Sequence, residues 1–91
     1  MHKVEHIGIA VKDLEKANQL YTALLGLPPY KQEEVTSEGV ATSFFIKGDT
    51  KIELLEARDT DSPIARFIKK KGEGLHHIAF EVNDIHAEAE R

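Results

Sequence analysis

The chain has 91 residues, of which 41% are hydrophobic and 31% charged, so it is long enough for one globular domain or part of one. No apolar run approaches the roughly 20 residues of a membrane-spanning helix, and the charged N-terminus lacks the apolar segment of a signal peptide, which predicts a cytoplasmic protein. The net charge of −4 disfavours nucleic-acid binding, and the absence of cysteine excludes disulfides, thiolate catalysis and cysteine-ligated metals.

The chain begins with a predicted strand and a predicted helix. Residues 4–11 alternate with the period of two that is typical of a strand, and the small and polar side chains share one face. Asp13 is a suitable helix N-cap, apolar residues follow it at helical spacing, and Gly26 is a suitable stop. The two strand faces carry Ile7, Ile9 and Val11 on one side and His6, Gly8 and Ala10 on the other.

Three more strands are predicted in the middle of the chain. Residues 30–35 are mostly polar and suit an exposed edge strand, whereas residues 40–46 and 51–56 flank a glycine-containing turn and predict a hairpin. The apolar residues on either side of Glu53 are expected to face the core. This assignment places Glu53 on the opposite face of its strand.

The last third of the chain predicts a helix, a strand and the start of another helix. Ser62 and Pro63 have the chemistry of an N-cap and a first helical residue, and Gly72 is expected to end this helix. Residues 75–82 predict a strand, and Asp84 is expected to cap the helix that follows it. The full order is β-α-β-β-β, a linking helix, then β-α, which is an α+β fold.

The segments 6–14 and 77–85 form an internal repeat with an offset of 71 residues. They share His, Ile, Val and Asp at matching positions, so each copy is a strand with one histidine that leads into an Asp-capped helix. We expect residues 1–58 to form a first βαβββ module, 59–74 a linking helix, and 75–91 the first strand and helix start of a second, incomplete module. Two equal copies would need roughly 140 residues, so the sequence is expected to be a fragment that does not complete the second copy's sheet.

His6 and His77 occupy matching positions in the two copies and are candidate metal ligands. If the copies pack with pseudo-symmetry, both imidazoles lie on inward faces, where small neighbours leave room for an ion and a substrate. Glu53 is the third candidate, because it lies on the face that we assign to the ligands. Two imidazoles and a carboxylate suit Zn²⁺, Co²⁺, Mn²⁺, Ni²⁺ or Fe²⁺. A single histidine on a strand is more often a packed residue than a metal ligand, and a carboxylate on a strand is often only solvated. The matching positions of the two histidines in the repeat favour the metal site instead.

Other polar residues are expected to lie outside this site. By the period of two, His76 should point to the face opposite His77, where it packs or supports a ligand. His2 and His86 are expected at the surface. The run Lys69-Lys70-Lys71 predicts a solvated helix end, with binding of ligand phosphates as the alternative.

These motifs resemble those of a known superfamily. Residues 6–14, followed by a helix that ends at Leu24-Leu25-Gly26-Leu27, resemble the vicinal oxygen chelate superfamily of glyoxalases, bleomycin-resistance proteins and extradiol dioxygenases. Residues 48–56, 61–68 and 74–82 are more narrowly similar to the methylmalonyl-CoA epimerase family. The resemblance covers essentially the whole chain and implies a fold of paired βαβββ modules.

The resemblance implies a divalent metal ion, such as Co²⁺, Mn²⁺, Ni²⁺ or Zn²⁺, held by His6, Glu53 and His77. It places a fourth ligand, a glutamate, beyond Arg91. It also implies an isomerase that epimerises methylmalonyl-CoA, an acyl-CoA thioester, by 1,1-proton transfer through a metal-stabilised enolate. Glu53 is the one candidate catalytic acid or base that we can name, and it is better justified as a ligand. The family has a further carboxylate on the strand that matches residues 40–46, and this sequence has none there.

Two other functions stay open within the superfamily. A glyoxalase I-like lactoylglutathione lyase would share the metal and the enolate chemistry but act on a glutathione hemithioacetal. A metal-free member that binds a small molecule would use its inward residues as an apolar cleft. Exposed sheet edges commonly find partners, so a homodimer is expected.

Overall fold

The computed structural model describes residues 3–81, which form two α-helices, five strands and one short 3₁₀ turn. Each predicted strand begins within one residue of the observed strand, and the two helices predicted within this range are present. The helix predicted after Asp84, together with His2 and His86, lies outside the described residues. The elements in chain order are β1 (Lys3–Ala10), α1 (Leu14–Leu25), β2 (Lys31–Val35), the 3₁₀ turn (Thr36–Glu38), β3 (Val40–Lys47), β4 (Thr50–Ala57), α2 (Pro63–Lys71) and β5 (Gly74–Glu81).

Both helices begin at the capping residues that the sequence predicts. The side chain of Asp13 accepts a hydrogen bond from the backbone N–H of Lys16 at 3.1 Å, and Gly26 ends α1 in the left-handed conformation with φ of 78°. The Ser62 hydroxyl accepts a hydrogen bond from the backbone N–H of Ala65 at 3.1 Å. Side-chain caps of this kind contribute about 1 kcal/mol each. Neither α1 nor α2 has the length or the apolar character that a bilayer-spanning helix requires.

Helix α1 has a second cap, which the sequence pattern does not reveal. The backbone N–H of Leu14 donates to Glu56 Oε2 at 2.8 Å, and Glu56 Oε1 lies 3.2 Å from Arg58 Nη1. The Glu56 side chain is only 16% exposed and connects β4 to the N-terminus of α1. The helix dipole favours a negative charge at this end.

The described strands form one sheet in the order β2-β3-β4-β1-β5. Strand β1 is parallel to β4, and every other neighbouring pair is antiparallel. Strand β2 is at an edge, as predicted, and its exposed polar side chains discourage pairing with another chain. Because β1 lies between β4 and β5, it brings the three predicted ligand strands side by side.

Both faces of the sheet are covered by a helix. Along β4, Leu54 packs in the core beneath α1, and Leu55 packs in the core beneath α2. The sequence predicts only the first of these cores. The second forms because the nine-residue helix α2 covers the face beside Leu55, and Glu53 on that same face lines a cavity. The core beneath α1 contains Val11, Leu14, Ala41, Phe45 and Leu54, and the core beneath α2 contains Ala10, Val40, Leu55 and Ile64.

The two copies of the repeat meet along the β1–β5 ladder. Ile7 is paired with Ile78, its own counterpart at the offset of 71 residues. When each residue of the next pair on one side is replaced by its counterpart 71 residues away, the next pair on the other side results. A local twofold axis therefore passes between Ile7 and Ile78. The first strand of the second copy therefore extends the sheet of the first. The flanking pairs are His6 with Ala79 and Gly8 with His77.

Candidate metal centre

Three neighbouring strands bring the predicted ligands together. Gly8 of β1 is paired with Glu53 of β4 on one side and with His77 of β5 on the other. His6 lies two residues before Gly8 and therefore on the same face of β1. The structure thus places His6, Glu53 and His77 in one group on one side of the sheet.

The ligand atoms of this group form a small triangle. His6 Nε2 lies 3.1 Å from His77 Nε2, and Glu53 Oε1 lies 3.9 Å from the first atom and 3.5 Å from the second. The circle through three atoms at these separations has a radius of about 2.0 Å, similar to the ~2.0–2.2 Å bonds that nitrogen and oxygen ligands make to zinc. Among residues 3–81, no other group of three or more His, Cys, Asp or Glu side chains brings its ligand atoms together in this way.

The three candidate ligand side chains are partly buried, with Glu53 the most enclosed at 16% exposure. Burial lowers the pKa of His77; the Glu53 carboxylate opposes this shift, whereas charge on His6 or His76 adds to it. A lowered pKa favours the neutral form of the His77 imidazole. The neutral ring has the free lone pair that a metal ligand needs.

Gly8 provides the space that the His77 ring occupies. A Cβ atom on Gly8 would overlap three atoms of that ring. Gly8 is not among the glycines with positive φ, so the backbone at this position does not require glycine. The small residue that the sequence predicts beside the imidazoles is therefore needed for close packing and not for a turn.

Glu5 belongs to the site, although the sequence does not single it out. Glu5 Oε1 lies 2.5 Å from His6 Nδ1, and Glu5 Oε2 lies 2.9 Å from Lys51 Nζ. Hydrogen bonding to His6, and then to Lys51, lowers the pKa of Glu5. Glu5 is thus an ionised acceptor at the ring nitrogen of His6 that faces away from the triangle. The one feature of the sequence that points to Glu5 is its position 71 residues before His76, which is the offset of the repeat.

His76 also lies in the site, and the prediction that it points away from His77 is wrong. Its Nδ1 atom lies 2.9 Å from His77 Nδ1, and the two rings are 5.1 Å apart at 83°. The ladder between β1 and β5 skips His76, so this residue is the extra one in a β-bulge. A bulge breaks the period of two on which the prediction rests.

A cavity of about 570 Å³ opens beside the triangle, within the size range of small-molecule sites. Glu53 and His77 lie in its wall. The basic end of α2 at Lys69–Lys71 does not line the cavity, and its side chains are exposed, as predicted. The cavity has an apolar floor and an acidic rim. The floor is formed by Val40, Leu55 and Ile64, and the rim by Glu38, Asp59 and Asp61.

Two carboxylates of this rim, those of Glu38 and Asp61, make no hydrogen bond or ion pair with the other residues that the structure describes. The Asp59 carboxylate instead accepts a hydrogen bond from the backbone N–H of Asp61 at 2.9 Å. Glu38 is not among the residues predicted from the sequence, because it ends the 3₁₀ turn just before residues 40–46, where the resemblance implies a second carboxylate. Both free carboxylates are available to a bound ligand.

The family model described as "Glyoxalase/Bleomycin resistance protein/Dioxygenase superfamily" matches residues 5–91. The chain belongs to this superfamily. The resemblance drawn from the sequence motifs is thereby confirmed, and the α+β fold agrees with it.

Relatives within the superfamily include proteins named as epimerases. The Bacillus subtilis (strain 168) protein YqjC is 46% identical over 83 residues, which cover 91% of this chain and 59% of YqjC. The mitochondrial methylmalonyl-CoA epimerase of Homo sapiens is 43% identical over 86 residues, which cover 93% of this chain and 49% of the epimerase. A Streptomyces coelicolor methylmalonyl-CoA epimerase in complex with 2-nitronate-propionyl-CoA superposes with a TM-score of 0.81 at 34% identity, covering 97% of this chain and 67% of that one. The chain therefore spans about half to two thirds of the length of these proteins.

Proposed function

We propose that this chain contributes the metal-binding part of a methylmalonyl-CoA epimerase. The observation that carries the proposal is the triangle of His6, Glu53 and His77 beside a cavity of about 570 Å³. The names of the relatives, and the acyl-CoA analogue in the related structure, support an acyl-CoA thioester as the substrate. In this proposal residues 1–58 are one module, 59–74 link the modules, and 75–91 begin the second.

A divalent metal ion fits the residues that are present. Both imidazoles direct Nε2 into the triangle while Nδ1 is engaged elsewhere, and the triangle has the size of a coordination site. This donor set suits Co²⁺, Mn²⁺, Ni²⁺ or Zn²⁺. When bound, such an ion supplies a Lewis acid that polarises the carboxylate and thioester oxygens of the substrate. Three ligands from this chain leave further coordination positions available.

The charge and shape of the site suit the acyl end of methylmalonyl-CoA. The three ligands of this chain contribute one negative charge against the two positive charges of a divalent ion, and the ion would attract the substrate carboxylate by direct coordination. The apolar floor of Val40, Leu55 and Ile64 accommodates carbon atoms and limits access of water. The acidic rim repels phosphates, so we expect the nucleotide part of CoA to leave the cavity on another side.

Epimerisation requires a base that removes the α-proton and an acid that returns a proton to the opposite face. Glu53 is occupied in the triangle, and coordination to a cation would make it a weaker base. We therefore assign proton transfer within this chain to Glu38 or Asp61, the two cavity carboxylates without a partner among residues 3–81.

Exchange of the α-proton tests the proposal. The protein that carries this chain is incubated with methylmalonyl-CoA in D₂O, and deuterium at the α-carbon is followed by NMR and mass spectrometry. We expect exchange with a divalent ion present, none after chelation, and loss of both metal and exchange in His77→Ala. Turnover of the glutathione hemithioacetal without exchange would instead indicate a lactoylglutathione lyase. A protein that takes up no divalent ion would indicate metal-free binding.

A matched pair of variants identifies the proton-transfer group. Glu38→Gln and Asp61→Asn each remove one charge from the cavity rim without changing its size. The variant that retains the metal but loses exchange identifies the acid or base. Full exchange in both variants would exclude both residues and contradict the assignment.

A further inference from the structure

Each candidate ligand histidine is hydrogen-bonded at Nδ1 by the residue immediately before it in the chain. Glu5 Oε1 lies 2.5 Å from His6 Nδ1, and His76 Nδ1 lies 2.9 Å from His77 Nδ1. Glu5 and His76 correspond to each other at the repeat offset of 71 residues, as the two ligands do. The same contact is therefore present once in each copy of the repeat.

A regular strand cannot make this contact, because consecutive side chains point to opposite faces of the sheet. The β1–β5 ladder shifts its register at two places, and the residues that the pairing skips are Glu5 in β1 and His76 in β5. Each is the extra residue of a β-bulge. Bulges are common beside functional sites, where they redirect a side chain.

The two bulges are related by the local twofold axis between Ile7 and Ile78, since the pairs around one bulge match the pairs around the other at the repeat offset. The side chains differ in chemistry, because Glu5 is a carboxylate and His76 an imidazole. Each nevertheless meets the same atom of its ligand ring. A contact repeated with different chemistry indicates that the hydrogen bond at Nδ1 is what matters at both positions.

The hydrogen bond at Nδ1 determines which nitrogen of each ring is available to a cation. An acceptor at Nδ1 holds the proton there and leaves the lone pair on Nε2. An ionised Glu5 can only accept, and His76 accepts at Nδ1 when its own proton is on Nε2. The Nε2 atoms of His6 and His77 are the ones that lie 3.1 Å apart in the triangle.

Both supporting residues are held in place by further contacts. Lys51 Nζ lies 2.9 Å from Glu5 Oε2, the carboxylate oxygen that does not bond to His6. The Phe67 ring of α2 packs nearly perpendicular to the His76 ring, with centroids 4.9 Å apart. The orientation of the His6 ring is thus linked through Glu5 to Lys51 of β4, and that of the His77 ring is linked through His76 to Phe67 of α2.

We propose that Glu5 and His76 are a duplicated pair of positioning residues, which hold His6 and His77 with Nδ1 protonated and Nε2 directed at a divalent cation. The inference rests on the proposed metal site, although the hydrogen bonds themselves belong to the polypeptide. Loss of a hydrogen-bond partner of this kind weakens metal binding by about 10–100-fold.

Paired variants separate the hydrogen bond from simple packing. His76→Leu and Glu5→Leu remove the acceptor, whereas His76→Asn and Glu5→Gln keep an oxygen that can accept from Nδ1. Long-range ¹H–¹⁵N NMR of the metal-free protein reports the tautomers of the ligand rings, and titration against a chromophoric chelator reports Zn²⁺ affinity. We expect the Leu variants to lose Nδ1 protonation of the adjacent ring and to bind Zn²⁺ about 10–100-fold more weakly. The Asn and Gln variants should stay within a few-fold of the parent.

The outcomes distinguish this proposal from the proposed function. Equal losses in His76→Leu and His76→Asn, with circular dichroism showing a folded protein, would overturn the positioning role and leave only packing. Unchanged tautomers in both Leu variants would also overturn it. A parent protein that takes up no Zn²⁺ or Co²⁺ would refute the metal site, while the tautomers of its rings would still decide the role of the two residues.

Discussion

Gly8 lies between Glu53 and His77 in the sheet, and its replacement by alanine should remove metal binding without unfolding the chain. The backbone at Gly8 accepts alanine, because its φ is not positive. The added Cβ, however, would lie 2.5 Å from each ring nitrogen of His77. The ring carbon Cε1 would lie nearer still, and because non-bonded atoms need about 3.5 Å, the ring must move by more than about 1 Å.

The magnitude follows from the small tolerance of metal coordination. Ligand distances must be correct to within about 0.2 Å, so a shift of about 1 Å removes His77 from the coordination group. We expect Zn²⁺ affinity to fall at least 100-fold, or about 2.7 kcal/mol. The free energy of unfolding without metal should change by less than about 1 kcal/mol, because alanine is favoured over glycine within a strand by about that amount. The His77 side chain, already 35% exposed, can turn toward solvent.

Two measurements and one control variant test this reasoning. Zn²⁺ titration against a chromophoric chelator gives the affinity, and urea denaturation of the metal-free protein gives the free energy of unfolding. Gly48→Ala is the control, because Gly48 has φ of 61° and open space around it. It should lose about 1 kcal/mol of stability through backbone strain and keep its affinity. Unchanged affinity in Gly8→Ala, or unfolding of its metal-free form, would refute the steric argument.

Three further outcomes are expected. Glu56→Ala should lower the free energy of unfolding by about 1–2 kcal/mol in urea, because the N–H of Leu14 loses its acceptor, and should leave Zn²⁺ affinity unchanged. Ala79→Val adds bulk opposite His6 and should weaken Zn²⁺ binding more than Ala79→Gly does; equal affinities in the two variants would contradict the local twofold relation. Zn²⁺ at about 100 times its Kd should raise the free energy of unfolding by about 2.7 kcal/mol, seen as a higher Tm that EDTA reverses. The same rise in His6→Ala would exclude His6 as a ligand.

The elements of the fold could be predicted because their signals are local. The side chains of Asp13 and Ser62 each accept a hydrogen bond from the backbone N–H three residues later, and Gly26 directly follows the last residue of α1. The alternation of β1 and β4 places His6 and Glu53 on the correct faces without knowledge of the sheet order. The repeat adds the one long-range relation, that His77 is the counterpart of His6.

The parts of the site that the sequence does not reveal depend on contacts between distant segments. The bulges that turn Glu5 and His76 into the site exist only when β1 and β5 pair, so a strict period of two misplaces His76. Glu38 reaches the cavity because the turn before β3 is held by the hydrogen bond from Arg58 N–H to the Gly39 carbonyl at 2.7 Å. The homodimer and the cytoplasmic location stay predictions.

The two bulges also bear on the register of the strands that carry the histidines. A slip of one residue between β1 and β5 would turn every side chain of β5 to the other face and take His77 away from His6. The regular part of the ladder is short, because the twofold axis at Ile7 and Ile78 has a bulge on each side. Any slip would have to break the hydrogen bond at Nδ1 in both copies at once. The arrangement that orients each ring therefore also favours the one register in which the two rings meet.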